Sequence, residues 1–431
     1  MPDTSHLTHG SPPATRAARS RTVATCRFCS AELRHTFVDL GMSPLCQTQI
    51  GPDDLERGEN FYPLHVYVCD QCWLVQLREY VAPEVIFSRD YPYFSSYSDS
   101  WVEHARAYVD HMVTEFGLTT DAFVVELASN DGYLLQHVQA AGIRCLGIEP
   151  TASTAAAAIA RGIPTRQEFF GLETARRIAA ESGEADVVAG NNVLAHVPDL
   201  NDFVAGIAAL LKPQGVGTFE FPHLMRLMEH NQFDTIYHEH FSYFSFTTIR
   251  AVFARHGLQT FDVRELPTHG GSIRVYVQPV TTGRRPMQAR VAAMLKVEAA
   301  AGLTDLVLYQ QFQARVHATK RELLSFLIDA RTNGKRVAGY GAPGKGNTLL
   351  NYCGIGTDFL EFTVDRSPAK QGTWTPGSRI PILAPEAIFE HRPDYVLILP
   401  WNLRDEIVAK MSAVRDWGGQ FVVPIPRVEI L

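Results

Sequence analysis

The densest group of proton-transfer side chains in the sequence is Asp234-Thr235-Ile236-Tyr237-His238-Glu239-His240-Phe241-Ser242-Tyr243. Imidazole titrates near neutral pH, and a neighbouring phenol or carboxylate can orient it or hold a developing negative charge. This stretch therefore has the parts for general acid and base work. Its spacing is not the His-Glu-x-x-His of a helical metal site. In an extended chain His238 and His240 share one face and Glu239 takes the other, while the flanking phenylalanines argue against a solvated loop. His196, which follows a separate apolar run, either converges on the same pocket or is a packed supporting residue.

Sulfur carries a second chemistry. Cys26-Arg-Phe-Cys29 and Cys69-Asp-Gln-Cys72 are matched pairs, and two such knuckles set four thiolates at the corners of a tetrahedron, the closed arrangement of structural zinc. The alternatives are a redox pair or two unrelated pairs of buried thiols, but a thioredoxin-type pair comes singly beside a βαβ pattern. Cys46, Cys145 and Cys353 are scattered and read as core thiols.

A third stretch has the form of a ligand loop. Phe123-Val124-Val125 is an apolar run ending in Glu126; Ala128-Ser129-Asn130-Asp131-Gly132 is a polar turn; Tyr133, Leu134, Leu135 and Val138 begin a helix; a second strand ends in Glu149-Pro150. In a βαβ unit such a turn lies at the carboxyl ends of the strands, where open α/β sheets bind ligands. The turn lacks the Gly-x-Gly-x-x-Gly that lets backbone approach a pyrophosphate, and Asp131 would repel phosphate. Glu149 suits the two ribose hydroxyls of an adenosine-like ligand. The turn resembles the first motif of class I methyltransferases, with Ala128 and Asn130 where that motif usually has glycine. That resemblance implies S-adenosylmethionine (SAM) held by Glu126, Ala128, Asn130, Asp131, Gly132, Leu134, Glu149 and Pro150. An ordinary Rossmann-like turn is the alternative reading. Strand Asp186-Val187-Val188-Ala189-Gly190 then leads into Asn191-Asn192-Val193-Leu194-Ala195-His196, which adds Asn191 and Asn192 to the same side. The Leu211-Lys212-Pro213-Gln214-Gly215 turn before strand Val216 to Phe221 and His223 is similar to a later motif of the same class.

Two further stretches complete the pattern. Tyr91, Tyr93, Phe94 and Tyr97 interleave with hydroxyls between Phe87 and Trp101, which fits a pocket lining or a joint whose rings pack on both neighbours. Gly339-Tyr340-Gly341-Ala342-Pro343-Gly344-Lys345-Gly346-Asn347 follows an apolar strand. It has dinucleotide spacing and nearly that of a P-loop, but Gly346 stands where a magnesium-binding hydroxyl is needed. Asp365 keeps an NAD site open as a reading. A helix N-terminus with Lys345 near a diphosphate and a purely structural turn are the others. Taken together, the cysteine knuckles, the aromatic segment, Glu126 to Gly132, Asn191 to His196, Tyr237 to Phe241 and the glycines near Gly341 resemble the bacterial deoxysugar C-methyltransferases, over nearly the whole chain after its first residues. The resemblance implies zinc in an N-terminal domain, SAM in a middle domain and a dTDP-linked 4-keto sugar in the cleft to a C-terminal domain. It also implies active-site roles for His240, Tyr237, Glu239, His196, Tyr91 and Tyr93. Substrate contacts are expected from Tyr97, His223, Lys345 and Asn347. Methylation at carbon 3, methylation at carbon 5 or on oxygen, and an NAD-dependent oxidoreductase are the competing activities.

The elements that must position these groups follow from length and periodicity. At 431 residues and 46% hydrophobic the chain is long enough for two or three domains with full cores. Residues 1–22 read as a disordered tail, 23–85 as a small β-rich zinc domain, 86–282 as an α/β methyltransferase-like domain, and 283–431 as a second Rossmann-like α/β domain that opens with a long helical region. The 39 basic residues against 46 acidic ones, net −7, give no electrostatic reason for a nucleic-acid partner. There is no secretory h-region and no apolar run of about 18 residues to span a membrane. A cytoplasmic monomer is the expectation.

Overall fold

Valine-rich Phe123–Leu127 is buried at every position, as only a strand covered on both faces can be. It is central to a sheet of seven strands in the order Leu258–Leu266, Ser272–Pro279, Leu211–Pro222, Ala185–Asn191, Phe123–Leu127, Arg144–Ile148, Thr165–Arg166. The last five are parallel to one another, while Ser272–Pro279 runs antiparallel to both of its neighbours. This computed structural model describes residues 23–87 and 93–431; the expected tail and Tyr91 lie outside the described residues. Because the central strands are parallel, the loops at 128–132, 149–151 and 192–196 all leave from one edge of the sheet. Ala128, Asn130 and Gly132 have φ of 54°, 50° and 79°. The two residues standing in for glycine thus adopt the left-handed backbone that glycine would take freely, which asparagine tolerates better than alanine. At Gly132 a Cβ would lie 2.3 Å from Ile163 Cδ1 and take a strained backbone angle, so a side chain there would require Ile163 to move.

The zinc-domain sheet is antiparallel, His35–Ser43, Tyr62–Val68 and Val75–Leu77, and its fourth strand, Ser242–Tyr243, comes from the histidine-rich stretch far along the chain. A third sheet is built on Val337–Tyr340, flanked in parallel by Thr363–Val364 and Tyr395–Ile398, with Pro381–Leu383 and Gln420–Val423 outside them. This is the second Rossmann-like layer. The three layers share cores. Phe37 and Val66 of the zinc-domain sheet pack in one cluster with Leu327, Leu349 and Val337, and Phe28 and Leu74 near the knuckles pack with Leu194 and Phe244. A small sheet with little core of its own is thereby stabilised from two sides.

The helical region after Pro286 divides into Ala289–Ala301, Leu306–Gln310 and Phe312–Thr332, and its first helix packs against the middle layer. Glu298 on Ala289–Ala301 is fully buried and accepts from His223 Nε2 at 2.6 Å, Phe246 N at 2.6 Å and Thr247 N at 2.7 Å. Arg290 pairs with Asp262. A buried carboxylate needs such partners, so this helix belongs to the middle sheet. No helix among the described residues is long and apolar enough to cross a membrane.

Candidate active site

The four expected metal ligands come together. Cys26, Cys29, Cys69 and Cys72 place their sulfurs within 4.8 Å of one another. The knuckles are built alike: Ser30 N donates to Cys26 O and Trp73 N to Cys69 O, each at 2.9 Å, with Ser30 and Trp73 left-handed. Gln76 donates its amide to Cys26 Sγ at 3.1 Å. Four sulfurs about 2.3 Å from a common centre sit roughly 3.8 Å apart, and the closest pairs here are at 3.5 Å, so the cluster fits a tetrahedral zinc ion.

The loop after Glu126 offers the polar groups a nucleoside ligand needs. Glu126 is buried with neither carboxylate oxygen in a hydrogen bond. Burial drives its pKa well above the ordinary range. Both ends of the Asn191 side chain and Asn192 Oδ1 are likewise buried without partners. Glu149 takes Asn130 N at 2.8 Å and Thr151 N at 2.9 Å, which fixes its carboxylate at the tip of the second strand with lone pairs to spare. Unpartnered buried polar atoms gathered at one loop cluster are costly unless a ligand satisfies them. Leu134 is buried beneath the turn and Pro150 is half-buried beside Glu149. These residues fit SAM.

Tyr237, Glu239, His240 and His196 converge. The His240 ring lies 4.0 Å from that of Tyr237 and 4.7 Å from that of His196, centroid to centroid. His240 Nδ1 is 2.8 Å from the carbonyl of Thr235. A carbonyl only accepts, so Nδ1 carries the proton and Nε2 the lone pair. Burial holds the His240 pKa well below the ordinary value, reinforced by His196. Burial likewise lowers His196 to about 4. His196 donates to the Glu239 carbonyl and keeps Nδ1 buried without a partner. The Tyr237 phenol is driven well above its usual value by burial, with Cys46 and Glu239 adding to the shift, so it stays a donor.

Several expectations change. His240 N donates to Tyr237 O at 2.9 Å, so the stretch turns instead of extending, and the two histidines part. His238 faces Pro63 O at 3.3 Å and the Tyr62 ring in the zinc domain. His223 is fully buried, with Nε2 donating to Glu298 and Nδ1 without a partner. Tyr97 is 65% exposed and stacks on Phe94. Asn347 is buried and donates to Cys46 O at 2.6 Å. Cys46 is more than a core thiol, since its Sγ lies 3.6 Å from Glu239 Oε1. It also caps the glycine loop: a Cβ on Gly344 would come within 2.9 Å of Cys46 Sγ. Asp365 already accepts from Ala342 N at 2.8 Å. With backbone and thiol filling its mouth, that loop does not fit a dinucleotide. Lys345 does approach the pocket, donating to Asn402 Oδ1 at 2.7 Å above the Trp401 ring, within electrostatic reach of His240. The reading from sequence missed His269. Left-handed at φ 53°, it sits 3.0 Å from Asn192 Nδ2 and against Trp101. The only signal was a histidine before two glycines.

Residues 26–87 match a domain family described as zinc binding, residues 101–263 one described as "Methyltransferase domain", and residues 267–426 one described as "C-methyltransferase C-terminal domain". The chain is 40% identical over 414 residues to C-methyltransferase NovU of Streptomyces niveus, across 95% of this chain and 97% of that protein. Among solved structures, magnesium protoporphyrin IX methyltransferase (ChlM) from Synechocystis PCC 6803 with bound SAM is 16% identical, TM-score 0.34, over 47% of this chain and 99% of its own. A SAM-dependent methyltransferase from Thermotoga maritima is 16% identical, TM-score 0.34, over 43% of this chain and 94% of its own.

The purified protein should carry one zinc per chain by native mass spectrometry, and Cys69→Ser should lose both the metal and the cooperative unfolding of the zinc-domain sheet; a metal-free wild type that unfolds cooperatively contradicts the assignment. Because burial lowers the imidazole pKa values, His240 stays neutral below its ordinary 6.5. The acid limb of kcat/KM should therefore lie under that value, and a limb at or above it would exclude His240 as the base. Stability follows the same sign. His196, at about 4 folded and near 6.5 unfolded, gives an unfolded state that takes protons first, so stability falls as pH drops through that window.

Proposed function

The chain belongs to the C-methyltransferase family, and from that membership we propose that its acceptor is a nucleotide-linked sugar: His240 removes the proton at carbon 3 of a dTDP-4-keto-6-deoxysugar, and that carbon then takes the methyl group. SAM, bound against loop 128–132 and Glu149, supplies an electrophilic methyl on sulfonium. The observation that carries the reading is the His240 tautomer. Its proton is committed to Thr235, so Nε2 is a neutral base beside a protonated phenol.

Carbon next to a ketone is acidic because its anion spreads onto oxygen, and the base gains most when a donor meets that oxygen. Tyr237 has the phenol for this. It keeps its proton because burial penalises the phenolate, and it donates to charge that develops only as the reaction proceeds. His196, whose ring proton is engaged by the Glu239 carbonyl, offers Nδ1 as an acceptor for a sugar hydroxyl. Thr235 already orients His240, and the Glu239 carboxylate, held beside Cys46, is assigned to orienting the sugar. Lys345, within electrostatic reach of His240, is assigned to the diphosphate. The proton taken by His240 would leave to solvent, and SAM, when bound, would supply the methyl group to that carbon and depart as S-adenosylhomocysteine. Methyl transfer of this kind needs donor and acceptor in line and near contact, which the shared loop from Asn191 to His196 favours.

With SAM and dTDP-4-keto-6-deoxysugars the protein should add one methyl group, and in heavy water without SAM the proton at carbon 3 should exchange. His240→Gln should lower exchange and methylation together by about 10²- to 10⁴-fold, and Tyr237→Phe by about 10²- to 10³-fold. Exchange at carbon 5, or methylation of oxygen, would refute the regiochemistry. Full exchange in His240→Gln would refute the base.

A further inference from the structure

Asn130 occupies a position where class I methyltransferases usually have glycine, and the side chain that results is fully engaged. Its Oδ1 accepts from Ser95 N at 2.8 Å and its Nδ2 donates to Tyr93 O at 3.1 Å, while its own backbone N donates to Glu149 Oε2 at 2.8 Å. Next to it, Asp131 is fully buried and its carboxylate accepts from the Ser96 hydroxyl and from Arg161 Nη1 at 3.3 Å. Arg161 also donates to Ser96 Oγ at 3.0 Å and to Asp131 O at 3.0 Å. The backbone of Tyr93 to Ser96 is thus strapped to the cofactor loop by polar contacts alone.

Much of that segment lies at the surface. Tyr93 is 46% exposed and Tyr97 65%, and Ser95 is the residue of the strap that is buried. A segment with few buried apolar contacts opens easily, so its order is set by the loop it is tied to. Yet Tyr93 sits at a junction, its phenol within electrostatic reach of Tyr133 behind the cofactor loop and of Tyr237 beside the base.

We propose that Asn130 is a positioning residue that couples the two substrates: a donor that fixes the backbone of 128–132 also fixes Tyr93 to Tyr97 as one wall of the acceptor site. The side chain added at a glycine position serves the acceptor and not the donor. Donor and acceptor then each raise the other's affinity by the same factor, since coupling between two sites is reciprocal. The inference rests on the reading of this pocket as an acceptor site facing SAM.

The test is Asn130→Gly in the full-length, zinc-loaded protein, a change compatible with the left-handed backbone that removes the contacts to Ser95 N and Tyr93 O and leaves those of Asp131 and Arg161 to Ser96. Hydrogen exchange is followed by mass spectrometry with and without S-adenosylhomocysteine. In wild type the ligand should protect both 126–134 and 93–98; in Asn130→Gly it should protect the loop and not the segment. Affinity for S-adenosylhomocysteine should change less than about threefold, while the acceptor KM should rise about tenfold, inside the usual 5- to 150-fold span of coupling. Ser96→Ala, which leaves the turn backbone untouched, should show a weaker form of the same pattern. Protection of 93–98 that survives Asn130→Gly, or an affinity for S-adenosylhomocysteine that falls as far as acceptor affinity when it is measured with no acceptor present, would overturn the proposal. The exchange arm needs no acceptor, so a wild type that methylates no keto sugar would refute the function above and leave this question decided on its own.

Discussion

The stretch from Asp234 to Tyr243 has its bonds distributed over three separately built sheets, and the geometry of the site depends on that constraint. Phe241 N donates to Ala195 O at 2.7 Å on the middle sheet's ligand loop, and Leu77 N donates to Phe241 O at 3.0 Å from the zinc-domain sheet. Thr348 Oγ1 donates to Ile236 O at 3.0 Å, and Trp401 Nε1 to Asp234 Oδ2 at 2.7 Å, both from the third layer. No single sheet would hold His240 and Tyr237 face to face. A structural zinc ion remote from the reacting groups therefore still bears on them, because the strand Val75–Leu77, which follows Cys72, is the one that pairs with Ser242–Tyr243.

Burial gives these side chains their protonation states. Removing water from imidazole disfavours the cation, and removing it from phenol disfavours the anion, so one dry pocket yields a neutral base and a protonated donor. The same desolvation raises Asp234 to about 6 and lowers Lys345, with each opposing the other's shift. Such a pocket is strained while its polar atoms lack partners. The unpartnered oxygens of Glu126, the amide of Asn191 and His196 Nδ1 mark where ligands satisfy what the fold leaves open.

The chemistry-bearing residues were legible in the sequence because their types are rare and their spacings short. Two Cys-x-x-Cys pairs, a strand carrying Glu126 near its end and the cluster at 237–240 each announce themselves locally, and the four cysteines lie together as that reading expected. What failed was long-range or conformational. An extended stretch was expected at 237–240, but the turn that sends His238 to Pro63 and His240 inward is imposed by bonds from three sheets. His223 meets a buried partner, Glu298, on a helix distant in sequence. Cys46 and His269 carried no motif; the first is defined by Glu239 and Gly344, the second by Asn192 and Trp101, all contacts that tertiary packing creates. The glycine loop at 341–346 shows the converse, a motif with the right spacing whose mouth another domain fills.

The claim on which the account stands is that base and methyl donor face one acceptor carbon. A crystal structure of the protein with S-adenosylhomocysteine and a dTDP-4-keto-6-deoxysugar tests it most directly. The account predicts the sugar's carbon 3 between His240 Nε2 and the sulfur, within about 3.5 Å of the nitrogen and with the ketone oxygen toward Tyr237. A sugar bound in a cavity that His240 does not line, or with the sulfur on the far side of Tyr133 from it, would contradict it.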